Sequence, residues 1–256
     1  MKQSTEQGYI KTDWDEGITT IEFFHPQSNS LPGALLQSLA QTIREEGQRA
    51  QTHLIVLRSG GDRAFCAGAS FDELLTIENR EQGVRFFSGF ANVINACRTC
   101  PKLIVGRAQG KAVGGGVGLL AATDYCFATQ YAEIKLSELT IGIGPFVVGP
   151  AIERKIGVSA FSQLSLHATT FFEAAWAKEK GLFAEVYDEI EEMDDALEVY
   201  TRQLAASNPA ALQGLKAVFW KGTDHWDTLL RDRAELSGEL VLSDFTRAAI
   251  RRFKQK

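Results

Sequence analysis

The stretch Gly110–Asp124, GKAVGGGVGLLAATD, sets four glycines within five positions, Gly114, Gly115, Gly116 and Gly118, where a helix ought to begin. Glycine costs about 1 kcal/mol relative to alanine inside a helix. Something must therefore pass so close to this backbone that side chains are excluded. The run is preceded by KLIVGRAQG (102–110), a short apolar stretch ending in glycine that reads as a buried strand. A helix over about 116–123 and a weaker strand, DYCFAT (124–129), follow.

The same alternation extends outward. HLIVLRSGG (53–61) reads as another buried strand, and a helical pattern covers about 71–98. Upstream, YIKTDW (9–14) and ITTIEFFH (18–25) are rich in β-branched and aromatic residues. The turn signal Asp15-Glu16-Gly17 between them predicts a hairpin. Leu35, Leu36, Leu39 and Ile43 mark one face of a helix after it. Strands alternating with helices imply an α/β fold with mainly parallel pairing. From about Gly149 the pattern turns almost wholly helical. Thr169 or Thr170 reads as an N-cap, Gly181 as a stop, and Pro209 as the opening of a further helix. The expected division is a core over 1–195 and a helical C-terminal region over 196–256.

Glycines between a strand and a helix first suggest a phosphate cradle. GRAQGKA (106–112) is one residue short of a Walker A loop and lacks its Ser/Thr. Gly116-Val117-Gly118-Leu119-Leu120-Ala121 does fit G-x-G-x-x-A, with Glu138 at the distance of the ribose-binding acid. Yet that element is central in the chain and no second half is visible, so a dinucleotide site stays a minor alternative. A third reading needs fewer assumptions: unsatisfied N–H groups at a helix N-terminus, cleared of Cβ atoms, can hold a developing negative oxygen. A partner donor should sit on another strand-to-helix junction of small residues. RAFCAGASFDEL (63–74) supplies one, with Ala67, Gly68 and Ala69 before a helical pattern.

These two segments, with GITTIEF (17–23), HPQSNSL (25–31) and IKLSELTIGIGPFVVGPAIERKIG (134–157), resemble in order and separation the signatures of the crotonase (enoyl-CoA hydratase/isomerase) superfamily. The resemblance implies a spiral of β-β-α units with a helical C-terminal trimerisation region, assembling as a homotrimer or homohexamer. It implies an acyl-CoA thioester substrate, coenzyme A being part of that substrate and not a separate cofactor, and no metal. By position in the motifs, Ala67 and Gly115 are the oxyanion donors, and Cys66, Ala67, Gly68, Ala69, Ser70 and Phe71 line the pantetheine path. Lys254 or Lys256 on the last helix could reach the CoA of a neighbouring subunit.

Of the family's two glutamates, one matches Glu138; the other falls on Gly118, which has no side chain. Ser70 stands where an acid commonly follows the Ala-Gly-Ala, with Asp72 two positions on. The resemblance is closest to a subgroup with a single catalytic Glu, like methylglutaconyl-CoA hydratase and polyketide-type dehydratases. It implies addition of water to, or elimination from, a 2-enoyl-CoA, with a branched or carboxylated acyl group using the space left by Gly118, and Gly114 as a further substrate-binding residue. Double-bond isomerisation by the same Glu is the second reading, and a non-catalytic binding or assembly protein of the same fold the third.

Composition sets the outer bounds. The 256 residues are 45% hydrophobic and 23% charged, with net charge −5. That balance argues against nucleic acid, whose binding needs a basic surface. The opening MKQSTEQGYIKTDW has no continuous apolar segment, so no secretion signal or membrane partner is expected and a cytoplasmic location is. Cys97-x-x-Cys100 lacks a second pair or a His at ligand spacing, which favours buried reduced thiols at a helix end. Asp124 is expected to be structural, and His25, His53, His167 and His225 lie outside the signatures.

Overall fold

The structure, a computed structural model, describes residues 8–254; residues 1–7, the start of the stretch read as lacking a signal, lie outside it. Strands β1 (Tyr9–Asp15) and β2 (Ile18–Phe24) form the hairpin, turning at Glu16 and Gly17, both at positive φ. Helix α1 (Gly33–Gln48) buries Leu36, Leu39, Ala40 and Ile43, the face its spacing predicts. Then come β3 (Leu54–Ser59), the short helix α2 (Phe71–Leu74), α3 (Arg80–Thr99), β4 (Leu103–Ala108) and β5 (Ala112–Val113). The glycine helix α4 (Gly115–Ala121) follows, then β6 (Tyr125–Thr129), β7 (Ile134–Lys135) and a 3-10 turn, Glu138–Ile141.

The single helix expected over 71–98 is two. Asn79 caps α3 by accepting from the Gln82 amide, so the chain leaves helical geometry between 75 and 79. The C-terminal third is α5 (Gly149–Leu166), α6 (Ala174–Glu179), β8 (Glu185–Tyr187), α7 (Ile190–Ala205), α8 (Pro209–Phe219), α9 (Trp226–Leu240) and α10 (Asp244–Lys254). The strand β8 interrupts the helical run that the sequence predicts. Helix α6 starts after Glu173, not at Thr169 or Thr170, because Phe172 is held in an antiparallel bridge to Ile134. Residue 195, the expected domain boundary, falls within α7.

The main sheet runs β1-β2-β3-β4-β6-β8, parallel from β2 onward. Both its faces are covered, as parallel sheets require. Alternation along β3 divides the core: Ile55 and Leu57 face α1 and α3, whereas Leu54 and Val56 face α7 through Met193 and Leu197. The pair β5–β7 forms a separate parallel ribbon. That small ribbon brings the glycine run against the turn that carries Glu138. Among the described residues no helix is long and apolar enough to cross a membrane.

Candidate active site

The loop after β3 is tied to the start of the glycine segment by backbone bonds. The Phe65 and Cys66 amides donate to the Lys111 carbonyl, and the Val113 amide donates to the Cys66 carbonyl at 2.9 Å. Gly68 has φ +94°, and a Cβ there would lie 3.0 Å from the Val113 carbonyl and 3.6 Å from the Gly115 nitrogen. The two signature loops are thus in contact. Ser70 takes over the capping role of an acid: its hydroxyl accepts from the Glu73 amide at 3.3 Å and starts α2.

The amides of this loop are mostly spent on neighbouring carbonyls. The Ala67 N–H, expected to be an oxyanion donor, is committed to the Ser28 carbonyl at 3.1 Å. The Gly68 amide points to the Cys66 sulfur and the Ser70 amide to the Leu31 carbonyl. Of the four amides from Ala67 to Ser70, and among the described residues, that of Ala69 is the one without an acceptor.

Across the contact, each glycine of the run is excluded from carrying a side chain by a different protein group. Gly114 has φ +52°, and a Cβ on it would stand 2.8 Å from Glu138 Oε1. At Gly115 it would overlap the Phe90 ring; at Gly116 it would meet the Cys66 carbonyl at 2.5 Å. At Gly118 it would meet Val148 Cγ1 at 2.5 Å. Among the described residues the Gly115 amide, first in α4, has no acceptor either.

Glu138 follows β7, whose pairing with β5 and the Gly114 N–H bond to the Lys135 carbonyl (2.8 Å) hold it beside the glycines. Although the residue as a whole is partly exposed, its Oε2 is buried and has no hydrogen-bond partner. Burial in an apolar wall pushes the carboxyl up to about 7. It opens on a pocket of about 440 Å³ that is also lined by Ala67, Gly68, Ala69, Ser70, Phe71, Gly114 and Gly115.

Sequence reading missed much of the remaining wall, including Phe86, Phe87 and Phe90 from α3, Ile141, Ile143, Phe146 and Val148 after Glu138, Ser30 from the turn before α1, and Ser237 from α9. Their signal was ordinary apolar periodicity, which does not distinguish a pocket from a core. Two residues expected at the site are not on its wall. Cys66 is fully buried behind the loop, its thiol pushed up to about 12 by burial. Gly118 is buried, and the space beside it is filled by the isopropyl group of Val148, not open to an acyl group. A Gly118→Ala substitution is therefore expected to overpack the core and cost about 1–3 kcal/mol. Denaturant titration checks this, and a Val148→Ala background should absorb most of the penalty.

Asp72 lies at the mouth, its Oδ2 accepting from Gln27 Nε2. None of the four histidines lines the pocket, and the four cysteines are free and buried, as the reading of Cys97 and Cys100 expects. The side chain of Lys254, and all of Lys256, lie outside the described residues.

A family model described as enoyl-CoA hydratase/isomerase matches residues 13–254. The chain is 26% identical over 230 residues, 89% of it and 86% of the relative, to a (7aS)-7a-methyl-1,5-dioxo-2,3,5,6,7,7a-hexahydro-1H-indene-carboxyl-CoA hydrolase of Rhodococcus jostii. It is 28% identical to the bacillaene synthase dehydratase PksH of Bacillus subtilis, over 58% of the chain and 57% of that protein. The fold matches the crystal structure of an enoyl-CoA hydratase from Bacillus halodurans with TM-score 0.88 at 21% identity, covering 95% of this chain and 99% of that one.

Proposed function

The chain belongs to the enoyl-CoA hydratase/isomerase family, and on that premise we propose that it adds water to, or removes it from, a 2-enoyl-CoA thioester. Glu138 is the single proton carrier of this reading, and the amides of Gly115 and Ala69 hold the thioester oxygen. The observation that carries it is the meeting of three groups on one pocket: the Glu138 carboxyl, whose Oε2 is buried without a partner, and, among the described residues, two amides without acceptors.

The chemistry follows from those groups. As water oxygen bonds to C3 of the enoyl group, one of its protons passes to the Glu138 carboxylate. The electron pair of the double bond moves toward the thioester oxygen, where two N–H donors stabilise the enolate. The protonated Glu138 then delivers its proton to C2, and the carboxylate is regenerated. One group serves both steps because its pKa lies near neutrality, where proton transfer in either direction is uphill by little. Each oxyanion donor of this kind is typically worth about 2.7–4 kcal/mol.

With Val148 beside Gly118, the acyl group has no extra recess there and lies against phenylalanine, isoleucine and valine side chains. That wall favours an uncharged acyl group over the carboxylated one expected from sequence, since an unpaired charge is costly to bury. Homotrimer or homohexamer assembly belongs to the same proposal, supported by the exposed apolar side chains Val158, Leu166 and Val218.

Isomerisation is the second reading, because the same lone carboxylate could take a proton from C2 of a 3-enoyl thioester and return it at C4. Assays with matched 2-enoyl- and 3-enoyl-CoA substrates separate the two; turnover of the 3-enoyl substrate alone would sink the hydratase reading. Failure to bind any acyl-CoA would favour an assembly role. In hydration, Glu138 must start ionised, so kcat/KM is expected to rise about tenfold per pH unit below a midpoint near 7 and level off above it. A flat profile from pH 5 to 8 would remove Glu138 from the proton path.

A further inference from the structure

The turn at 25–31 contains two successive non-glycine residues in the left-handed region, Ser28 at φ +54° and Asn29 at φ +56°. Such residues persist only where their surroundings hold them. Asn29 is buried at 3% exposure, and its side chain is fully engaged. Its Oδ1 accepts from the His25 amide at 2.8 Å, and its Nδ2 donates to the Gly60 and Ala64 carbonyls, both at 2.9 Å. The turn is thereby fastened to the loop that leads out of β3.

What the turn then does is bind the oxyanion loop residue by residue. The Ser28 carbonyl takes the Ala67 amide, and the Leu31 amide donates to the Gly68 carbonyl at 2.8 Å. The Ser30 hydroxyl donates to the Ala69 carbonyl at 2.9 Å, and the Leu31 carbonyl accepts from Ser70. The Gly68 carbonyl and the Ala69 N–H belong to one planar trans peptide, so they point in opposite directions. Drawing that carbonyl toward Leu31 turns the Ala69 N–H away from the turn. The Ser30 bond fixes the next peptide plane, on the far side of the Ala69 Cα.

From this geometry we propose that Ser30 and Asn29 are positioning residues that aim the Ala69 amide at the thioester oxygen. Neither supplies a proton or a charge to the reaction; they act through Ala69. The inference rests on the acyl-CoA reading of the pocket, but not on whether hydration or isomerisation follows. Asn29 supplies the left-handed corner and its anchoring, and Ser30 supplies the clamp.

The test reads carbonyl polarisation directly. Hexanoyl-CoA, saturated at C2–C3 and so inert to hydration, is prepared with ¹²C or ¹³C at its thioester carbonyl. Isotope-difference infrared spectra are recorded for the wild-type, Ser30→Ala, Ser30→Thr and Asn29→Asp proteins. In the wild type the bound carbonyl band should lie below its position in water. In Ser30→Ala and Asn29→Asp it should move back toward the water value, with kcat on an enoyl substrate falling about tenfold and KM changing less than threefold. Ser30→Thr, which keeps the hydroxyl, should restore both.

An unchanged bound-carbonyl band in Ser30→Ala and Asn29→Asp, whatever happens to their stability, would overturn the positioning role. A wild-type protein with no bound thioester band would instead bring down the acyl-CoA reading itself, and this inference with it.

Discussion

A Glu138→Gln protein is expected to lose about 10²- to 10⁴-fold in kcat/KM on its enoyl-CoA substrate, the range a positioned acid–base group contributes. The amide matches the carboxylate in shape, so acyl-CoA affinity should change little and the loss should fall on kcat. The same substitution has an opposite effect on stability. Burial raises the Glu138 carboxyl from an ordinary 4.5 to about 7, so between those values the folded protein binds the proton more tightly than the unfolded chain does. Stability from this group is complete below about pH 4.5 and declines as the pH climbs through 7. At pH 8 the wild type carries an ionised carboxylate whose Oε2 is buried without a partner, and the glutamine protein should be more stable by roughly 2–4 kcal/mol. At pH 4 that gain should disappear, because the carboxyl is protonated when folded. Denaturant titrations at the two pH values, beside steady-state kinetics, read both effects. Retained activity would remove Glu138 from the reaction, and a stability difference independent of pH would deny that its carboxylate is held dry.

Much of this arrangement is legible in the sequence, and the misses share a physical cause. The hairpin, the buried strands β3 and β4 and the α1 face follow from local periodicity, a property of the residues themselves. Glu138 beside the glycine run follows from motif order. Position in a motif cannot say which amide is already spent, and it points to Ala67, whose N–H donates to the Ser28 carbonyl. Ala67 and Ala69 are equivalent small residues until Ser28, far upstream, takes the N–H of one. Gly118 misled in the same way: a missing side chain reads as space, and only the fold reveals Val148 occupying it. The break between α2 and α3 was readable in the Asn79-x-x-Gln82 capping pattern, which the apolar rhythm on either side concealed. The strand β8 is three residues long at a sheet edge, too short for any period to show.

An Asp124→Ala substitution is expected to cost about 3–5 kcal/mol of stability, the range for leaving one partner of a buried ion pair alone. Asp124 lies between the glycine helix and β6, and its side chain is 3% exposed, that of Lys216 4%. Its Oδ2 accepts from Lys216 Nζ and from the Ile104 amide, each at 2.7 Å, and its Oδ1 accepts from Trp220 Nε1 at 2.7 Å. Lys155 adds a bond to the Asp124 carbonyl at 3.0 Å. Removing the carboxylate strands an ammonium, an indole N–H and a main-chain N–H together. For a chain of this size the melting temperature should fall by about 6–20 °C. Lys216→Met in the Asp124→Ala background should recover part of the loss, because it removes the uncompensated charge and keeps the packing volume. A loss below about 1 kcal/mol in Asp124→Ala would show that the pair contributes nothing beyond a surface bridge. The position of this cluster gives the result a functional reading. It joins the end of α4, whose first amide faces the pocket, to α8 of the C-terminal region expected over 196–256. Ser237 of α9, from that same region, lines the pocket as well. If the pair is cut, the C-terminal helices should loosen from the sheet before the sheet itself melts. Enoyl-CoA turnover should then be lost on heating at a lower temperature than the far-ultraviolet circular dichroism. In the wild type the two should be lost together.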